Sequence, residues 1–245
     1  MTQVVLLHAF PVNRHLWDAQ VEYLTKAGFK VTAPDLAGFG ESRRPQEPSL
    51  ALMAEQVLSH VSRPAVFAGL SMGGYLLMEI LRQAPHVVTG AIFMDTKASA
   101  DDEAARAVRL QVAEQVLATG DLGAVADAML PKLLGATTMT QRPEVVAKVR
   151  SWIESAPPEA VASAQRAMAG RPDSLPTLRT YEGPALVVWG SEDSISPTAD
   201  QVAMLAAMPQ AVGREIPDAG HLTAVETPSE VNDVLIEALT DWRVH

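Results

Sequence analysis

Gly69-Leu70-Ser71-Met72-Gly73 sets a hydroxyl between two glycines, each two residues away. Serine becomes a nucleophile when its backbone turns sharply enough to expose Oγ. Small residues on either side then let the flanking strand and helix close on the turn. The apolar run before Ser71 reads as a strand, and Met72 onward reads as a helix. A helix starting under Ser71 aims its first N–H groups at a developing oxyanion. Alone, Gly-x-Ser-x-Gly is a weak pattern; its strand–turn–helix setting makes it specific.

A serine nucleophile needs a base, and at neutral pH histidine suits that role. The chain has six histidines. His245 is the last residue, His15 and His60 lie in or near solvated helical segments, His86 follows Pro85 at a helix end, and His8 ends the first strand pattern. His221, in Pro217-Asp218-Ala219-Gly220-His221, lies in a loop between the last strand pattern and the last helix pattern. It is therefore the expected base. The base in turn needs an acid on its other ring nitrogen. Asp193, in Trp189-Gly190-Ser191-Glu192-Asp193, follows a strand pattern and gives the chain order Ser71, Asp193, His221. Asp95, after the strand pattern ending at Met94, competes for the role, and Glu192 is adjacent to Asp193. The bland reading of Asp95 is a cap on the segment that follows.

The oxyanion needs two backbone N–H groups. Met72, next after Ser71, supplies one. Phe10, in His8-Ala9-Phe10-Pro11 after the first strand pattern, is expected to supply the other, because Pro11 has no N–H. The side chains of Phe10 and Trp152 are candidate pocket walls; at Phe10 plain packing is the alternative reading.

Apolar runs at 4–7, 30–33, 65–68, 90–94, 185–189 and 212–216 must carry these loops. Most lack alternation, as strands do when both sheet faces are covered. Helix patterns at 17–27, 50–61, 72–84 and 228–242 separate them. Strands alternating with helices predict an α/β fold with a mainly parallel sheet. From Lys97 to Glu182 the rhythm breaks into a block rich in helix formers. Helices are expected there at 101–118, 122–130, 143–155 and 157–169, with Asp101 at a start and Pro143 and Pro158 in first turns. The division expected is core 1–97, helical lid 98–182 and core 183–245.

The chain has 245 residues, 48% hydrophobic and 20% charged, within the range of folded globular proteins. With no cysteine, it can form neither a disulfide nor a thiolate site. The net charge of −10 disfavours nucleic acid and anionic membranes as partners. The start lacks a signal-peptide pattern, and no apolar run is long enough to span a bilayer. A cytoplasmic protein is expected.

Leu6-Leu7-His8-Ala9-Phe10-Pro11, Pro34 to Ser42, Gly69 to Gly74, Gly190 to Asp193 and Gly220-His221 together resemble the small α/β-hydrolases of the carboxylesterase, enol-lactonase and cofactor-free haloperoxidase type. The resemblance covers both ends of the chain, and the helical block is less typical. It implies an α/β-hydrolase fold of about six parallel strands with a helical lid before the last two. Residues Asp35 to Ser42 would form a structural loop near the site. Arg171-Pro172-Asp173-Ser174 resembles enol-lactonase-like members, or else is a helix start capped by Asp173 or Ser174. One departure stands out: the family has His-Gly after the first strand, and here Ala9 replaces glycine. The implied activity is hydrolysis of small to medium carboxylic esters or lactones through an acyl-enzyme, without metal or organic cofactor. The same triad would also serve perhydrolysis or carbon–carbon bond hydrolysis, and the fold could persist as a non-catalytic receptor. The physiological substrate and the oligomeric state are left open.

Overall fold

The computed structural model describes residues 2–43, 49–61 and 63–242; His245 lies outside them. Six strands form one sheet: β1 (Gln3–Leu7), β2 (Lys30–Thr32), β3 (Ala65–Leu70), β4 (Val88–Met94), β5 (Ala185–Gly190) and β6 (Val212–Ile216). All neighbours pair in parallel, in the order β2-β1-β3-β4-β5-β6. Residues of β1, β3 and β5 are buried throughout, which explains their unbroken apolar runs. The edge strands β2 and β6 carry Lys30, Arg214 and Glu215, charges that blunt edge-to-edge pairing.

Helices α1 (Asp18–Lys26), α2 (Leu50–Ser59) and α3 (Met72–Gln83) connect the first strands. Between β4 and β5 stand α4 (Glu103–Thr119), α5 (Leu122–Leu133), α6 (Ala136–Gln141), α7 (Pro143–Glu154), α8 (Pro158–Ala169) and α9 (Leu175–Arg179). Then follow α10 (Thr198–Ala207), α11 (Thr223–Glu226) and α12 (Pro228–Asp241). Helix α1 packs on α12 and α2 on α3, while α3 lies against β3 and α10 against β5.

The block between β4 and β5 is helical, and its buried side chains, among them Val116, Leu130, Ile153 and Val161, belong to the same hydrophobic cluster as the sheet. Helix α8 is buried along most of its length, and Ala160, Ala164 and Ala167 keep its surface low enough for α4 to pack against it. Asp101 does not start α4. The helix begins at Glu103, with the Asp102 side chain accepting from Ala105 N, while Asp101 turns inward onto Arg109 and Arg171. Helices α6, α10 and α11 have no counterpart in the sequence pattern. Two of the three span six residues or fewer, too short to display a periodicity. Helix α9 begins directly after Asp173 and Ser174, at the helix start read there. Among the described residues no helix is long and apolar enough to cross a membrane.

Candidate active site

Ser71 stands between β3 and α3 at φ 55 and ψ −112. A non-glycine residue there carries backbone strain of about 1–3 kcal/mol and persists only where its surroundings hold it. They do so here: Ser71 N donates to Met94 O at 2.9 Å, and Thr96 Oγ1 donates to Ser71 O at 2.8 Å. The two flanking glycines are required by space. A Cβ on Gly69 would run into the Gly73 backbone, and one on Gly73 into the Leu7 carbonyl.

The turn brings Ser71 Oγ 2.7 Å from His221 Nε2. His221 Nδ1 lies 2.8 Å from Asp193 Oδ2, and all three residues are buried. A carboxylate can only accept, so Nδ1 carries the proton and Nε2 is free to receive the serine's. Asp193 Oδ1 accepts from Ile195 N at 2.8 Å and Ser196 N at 3.1 Å, and Oδ2 also accepts from Ser196 Oγ at 2.6 Å. Burial alone would raise the Asp193 pKa. The charge and hydrogen bond of His221 and the bonds from Ser196 outweigh it, and the net direction is down.

Asp95 is not brought to the histidine. Its Oδ1 accepts from Gly190 N at 3.0 Å, and its Oδ2 from Thr223 Oγ1 at 2.6 Å and Thr223 N at 3.2 Å. Burial first, then the nearby Asp193 charge, pushes its pKa well above the usual carboxylate range. Glu192 also turns away, accepting from Thr137 N at 2.9 Å and Thr137 Oγ1 at 2.6 Å.

Neither Phe10 N nor Met72 N has a hydrogen-bond partner among the described residues, so both are free to donate to an oxyanion. The Phe10 ring is buried edge-on to Phe39, with centroids 6.2 Å apart. Ala9 does not take a positive φ, which is why alanine is tolerated where glycine is usual. His8, wholly buried, fastens this loop: Leu36 N donates to Nε2 at 2.8 Å, so Nδ1 donates to Ala9 O, also at 2.8 Å. Burial lowers the His8 pKa to about 4, so the ring is neutral at neutral pH. Trp152 is half-buried on α7 with Lys148 over its ring, and no hydrogen bond or ring contact joins it to Ser71, Asp193 or His221.

The alpha/beta hydrolase family model matches residues 4–234. The chain belongs to the alpha/beta hydrolase family. Among solved structures, a thermophilic esterase from Thermogutta terrifontis, with malate bound, is 39% identical with a TM-score of 0.94, covering 99% of this chain and 90% of that one. A 3-oxoadipate enol-lactonase of Acinetobacter baylyi is 25% identical over 94% of this chain and 85% of its own length. A pimeloyl-acyl-carrier-protein methyl ester esterase of Sodalis glossinidius is 35% identical over 89 residues; that match spans 36% of this chain and 34% of the esterase.

In this alpha/beta hydrolase the histidine loop has supports that no spacing in the sequence displays. Buried Glu226 accepts from Gly220 N at 2.9 Å and Leu222 N at 3.1 Å, on either side of His221. It also accepts from Gly135 N at 2.8 Å, and His221 N donates to Leu133 O at 3.1 Å. The α5–α6 junction is thus bonded to the loop carrying His221. Gln201 Nε2 ties Thr96 O to Ser196 O at 2.9 and 2.8 Å, linking the strand end beside Ser71 to the loop carrying Asp193. Glu226 closes α11, five residues after the histidine. Asp173 Oδ1 accepts from Leu175 N at 3.0 Å at the start of α9, while Arg171 pairs with Asp101 at 2.7 Å.

Proposed function

We propose that this alpha/beta hydrolase is a serine esterase cleaving small to medium carboxylic esters or lactones. The observation that carries the reading is the unbroken relay from Ser71 Oγ through His221 to Asp193, at 2.7 and 2.8 Å. Relatives named esterase and enol-lactonase support it.

In this reading His221 Nε2 takes the Ser71 proton as Oγ attacks the acyl carbon. Asp193 holds the ring's tautomer and stabilises the imidazolium. The N–H groups of Phe10 and Met72 receive the oxyanion. His221 then protonates the departing alkoxide, the ester C–O bond breaks and an acyl-Ser71 remains. Water, deprotonated by the same nitrogen, releases the acid and restores Ser71. The helices between β4 and β5 cover the site as a lid and limit the size of the acyl group.

Hydrolysis of p-nitrophenyl acetate and butyrate by the wild type and Ser71→Ala tests the reading. A loss of at least about a thousandfold is expected. Equal low rates from both proteins would remove Ser71 as a working nucleophile and leave a receptor built on the same fold.

A further inference from the structure

His221 stands between β6 and α11, in a segment with neither helix nor strand to hold it. The backbone bonds of that segment must therefore go elsewhere. Asp218, at a strained φ of 54, has its carbonyl oxygen held by Arg142 Nη1 at 2.9 Å. Ala219 O accepts from Glu192 N at 2.8 Å, and His221 N donates to Leu133 O at 3.1 Å. Gly220 N and Leu222 N both donate to Glu226 Oε1, and the other oxygen of that carboxylate accepts from Gly135 N. Leu133, Gly135 and Arg142 all belong to the block between β4 and β5. Leu133 ends α5, and Gly135 and Arg142 flank α6 on its two sides.

The packing at this contact leaves no room for a side chain. A Cβ on Gly220 would run into Gly135 N and the Leu134 carbonyl carbon. One on Gly135 would run into the Glu192 carboxylate and Gly220 N, and one on Gly190 into the carbonyl oxygens of Ala219 and Gly220. Glycines from three segments thus meet backbone to backbone: one before α6, one ending β5 and one beside His221. None of the three takes a positive φ, so space and not backbone conformation demands glycine here. The seam is fastened on one side by Glu226, which is 3% exposed, and on the other by Glu192, which accepts from Thr137 N and Oγ1.

We propose that the docked start of α6 positions His221, and that Glu226 is the positioning residue through which the docking acts. The block holds Asp218 O and His221 N directly. It holds Gly220 N and Leu222 N through the carboxylate that they share with Gly135 N. A displaced α6 therefore displaces the ring and its 2.7 Å approach to Ser71 Oγ. A misplacement of about 1 Å costs about a hundredfold in rate. That kinetic consequence rests on the esterase reading; the placement of the ring does not.

Glu226→Gln and Gly135→Ala break the contact from its two sides. A carboxamide has one acceptor oxygen; kept on Gly220 N and Leu222 N, it turns its NH2 group toward Gly135 N. Gly135 has φ −65, which alanine accepts, so the added methyl acts only by filling the seam. Each variant should lower kcat for p-nitrophenyl butyrate about ten- to a hundredfold and change KM less than about threefold. The double variant should fall less than about twofold below the worse single, because both remove one contact. In proton NMR the downfield resonance of His221 Nδ1–H, bonded to Asp193 at 2.8 Å, should shift or broaden in both. Asp102→Ala, which removes only the exposed cap of α4, should lower the melting temperature and leave kcat and the resonance unchanged. Where circular dichroism shows Gly135→Ala unfolded, Arg142→Ala carries the test through Asp218 O, with an expected loss of about threefold. Wild-type kcat in the folded single variants, additive losses, losses matched by Asp102→Ala or an unmoved resonance would each overturn the proposal. A wild type without ester turnover, but with the resonance shifted in both variants, would support the positioning and remove the esterase reading instead.

Discussion

Asp95 and Asp193 stand at the carboxyl ends of neighbouring strands, one directly after β4 and the other three residues beyond β5. Both are buried carboxylates on the edge of the sheet where Ser71 sits. Their partners separate them. Asp193 meets a ring that can become a cation, and its pKa goes down despite burial. Asp95 meets only neutral donors, Gly190 N and the N–H and hydroxyl of Thr223, and its pKa goes up through burial and the Asp193 charge. Position at a strand end therefore qualifies a residue for the acid's role, and the partner decides which one takes it. Asp95 instead braces the acid loop at Gly190 and the residue two beyond His221.

The largest expected effect breaks the symmetry outright. Asp193→Asn should lower kcat for p-nitrophenyl butyrate by about 10³–10⁴, because an amide no longer holds the tautomer that leaves Nε2 free. Asp95→Asn should cost less than about tenfold. Reversed magnitudes in the same assay would make Asp95 the working acid.

The pH dependence of stability sharpens the comparison, because the two shifts have opposite signs. For Asp95 the folded pKa is raised, so its contribution is present below the unfolded value of about 3.9 and is lost as pH rises through the folded value. Asp95→Asn should therefore cost more stability at pH 4 than at pH 7. For Asp193 the folded pKa is depressed, so its contribution is present above about 3.9 and is lost as pH falls through the folded value. Asp193→Asn should cost more at pH 5 than at pH 3. Urea midpoints of the wild type and both variants at these pH values measure the differences. Slopes of the same sign for both variants would contradict the assigned partners.

The same contrast explains what was legible in the chain. Ser71, its flanking glycines and the strand before it are written locally, within a few residues, and the elbow forms where that pattern places it. Strands β1, β3 and β5 were legible for the related reason that burial on both faces leaves unbroken apolar runs, whereas the edge strands β2 and β6 are partly exposed and carry charges. The choice among Asp95, Glu192 and Asp193 rests on contacts between distant segments. Glu192 is drawn off by Thr137, 55 residues earlier, and Asp95 by Thr223, 128 residues later. No spacing encodes such pairs. Glu226 escaped notice because its acceptor role depends on three N–H groups from two loops converging on one carboxylate.

The smallest expected effect probes how the acid is held. Ser196 Oγ donates to Asp193 Oδ2 at 2.6 Å, the same oxygen that receives His221 Nδ1, and lies 3.4 Å from that nitrogen. Ser196→Ala removes one hydrogen bond to a charged acceptor but leaves Ile195 N and Ser196 N on Oδ1 and the histidine on Oδ2. A lost bond of this kind is worth about 1–2 kcal/mol, so kcat should fall about tenfold. Because the hydroxyl acts through Asp193, KM should stay unchanged and Ser196→Thr should recover most of the loss. The pH at which kcat falls on the acid side should move in Ser196→Ala, because the acceptor that stabilises the imidazolium has lost a donor. A fall as deep as that of Asp193→Asn would mean that the carboxylate cannot hold its place without Ser196, and the acid's role would then belong to the pair rather than to Asp193 alone.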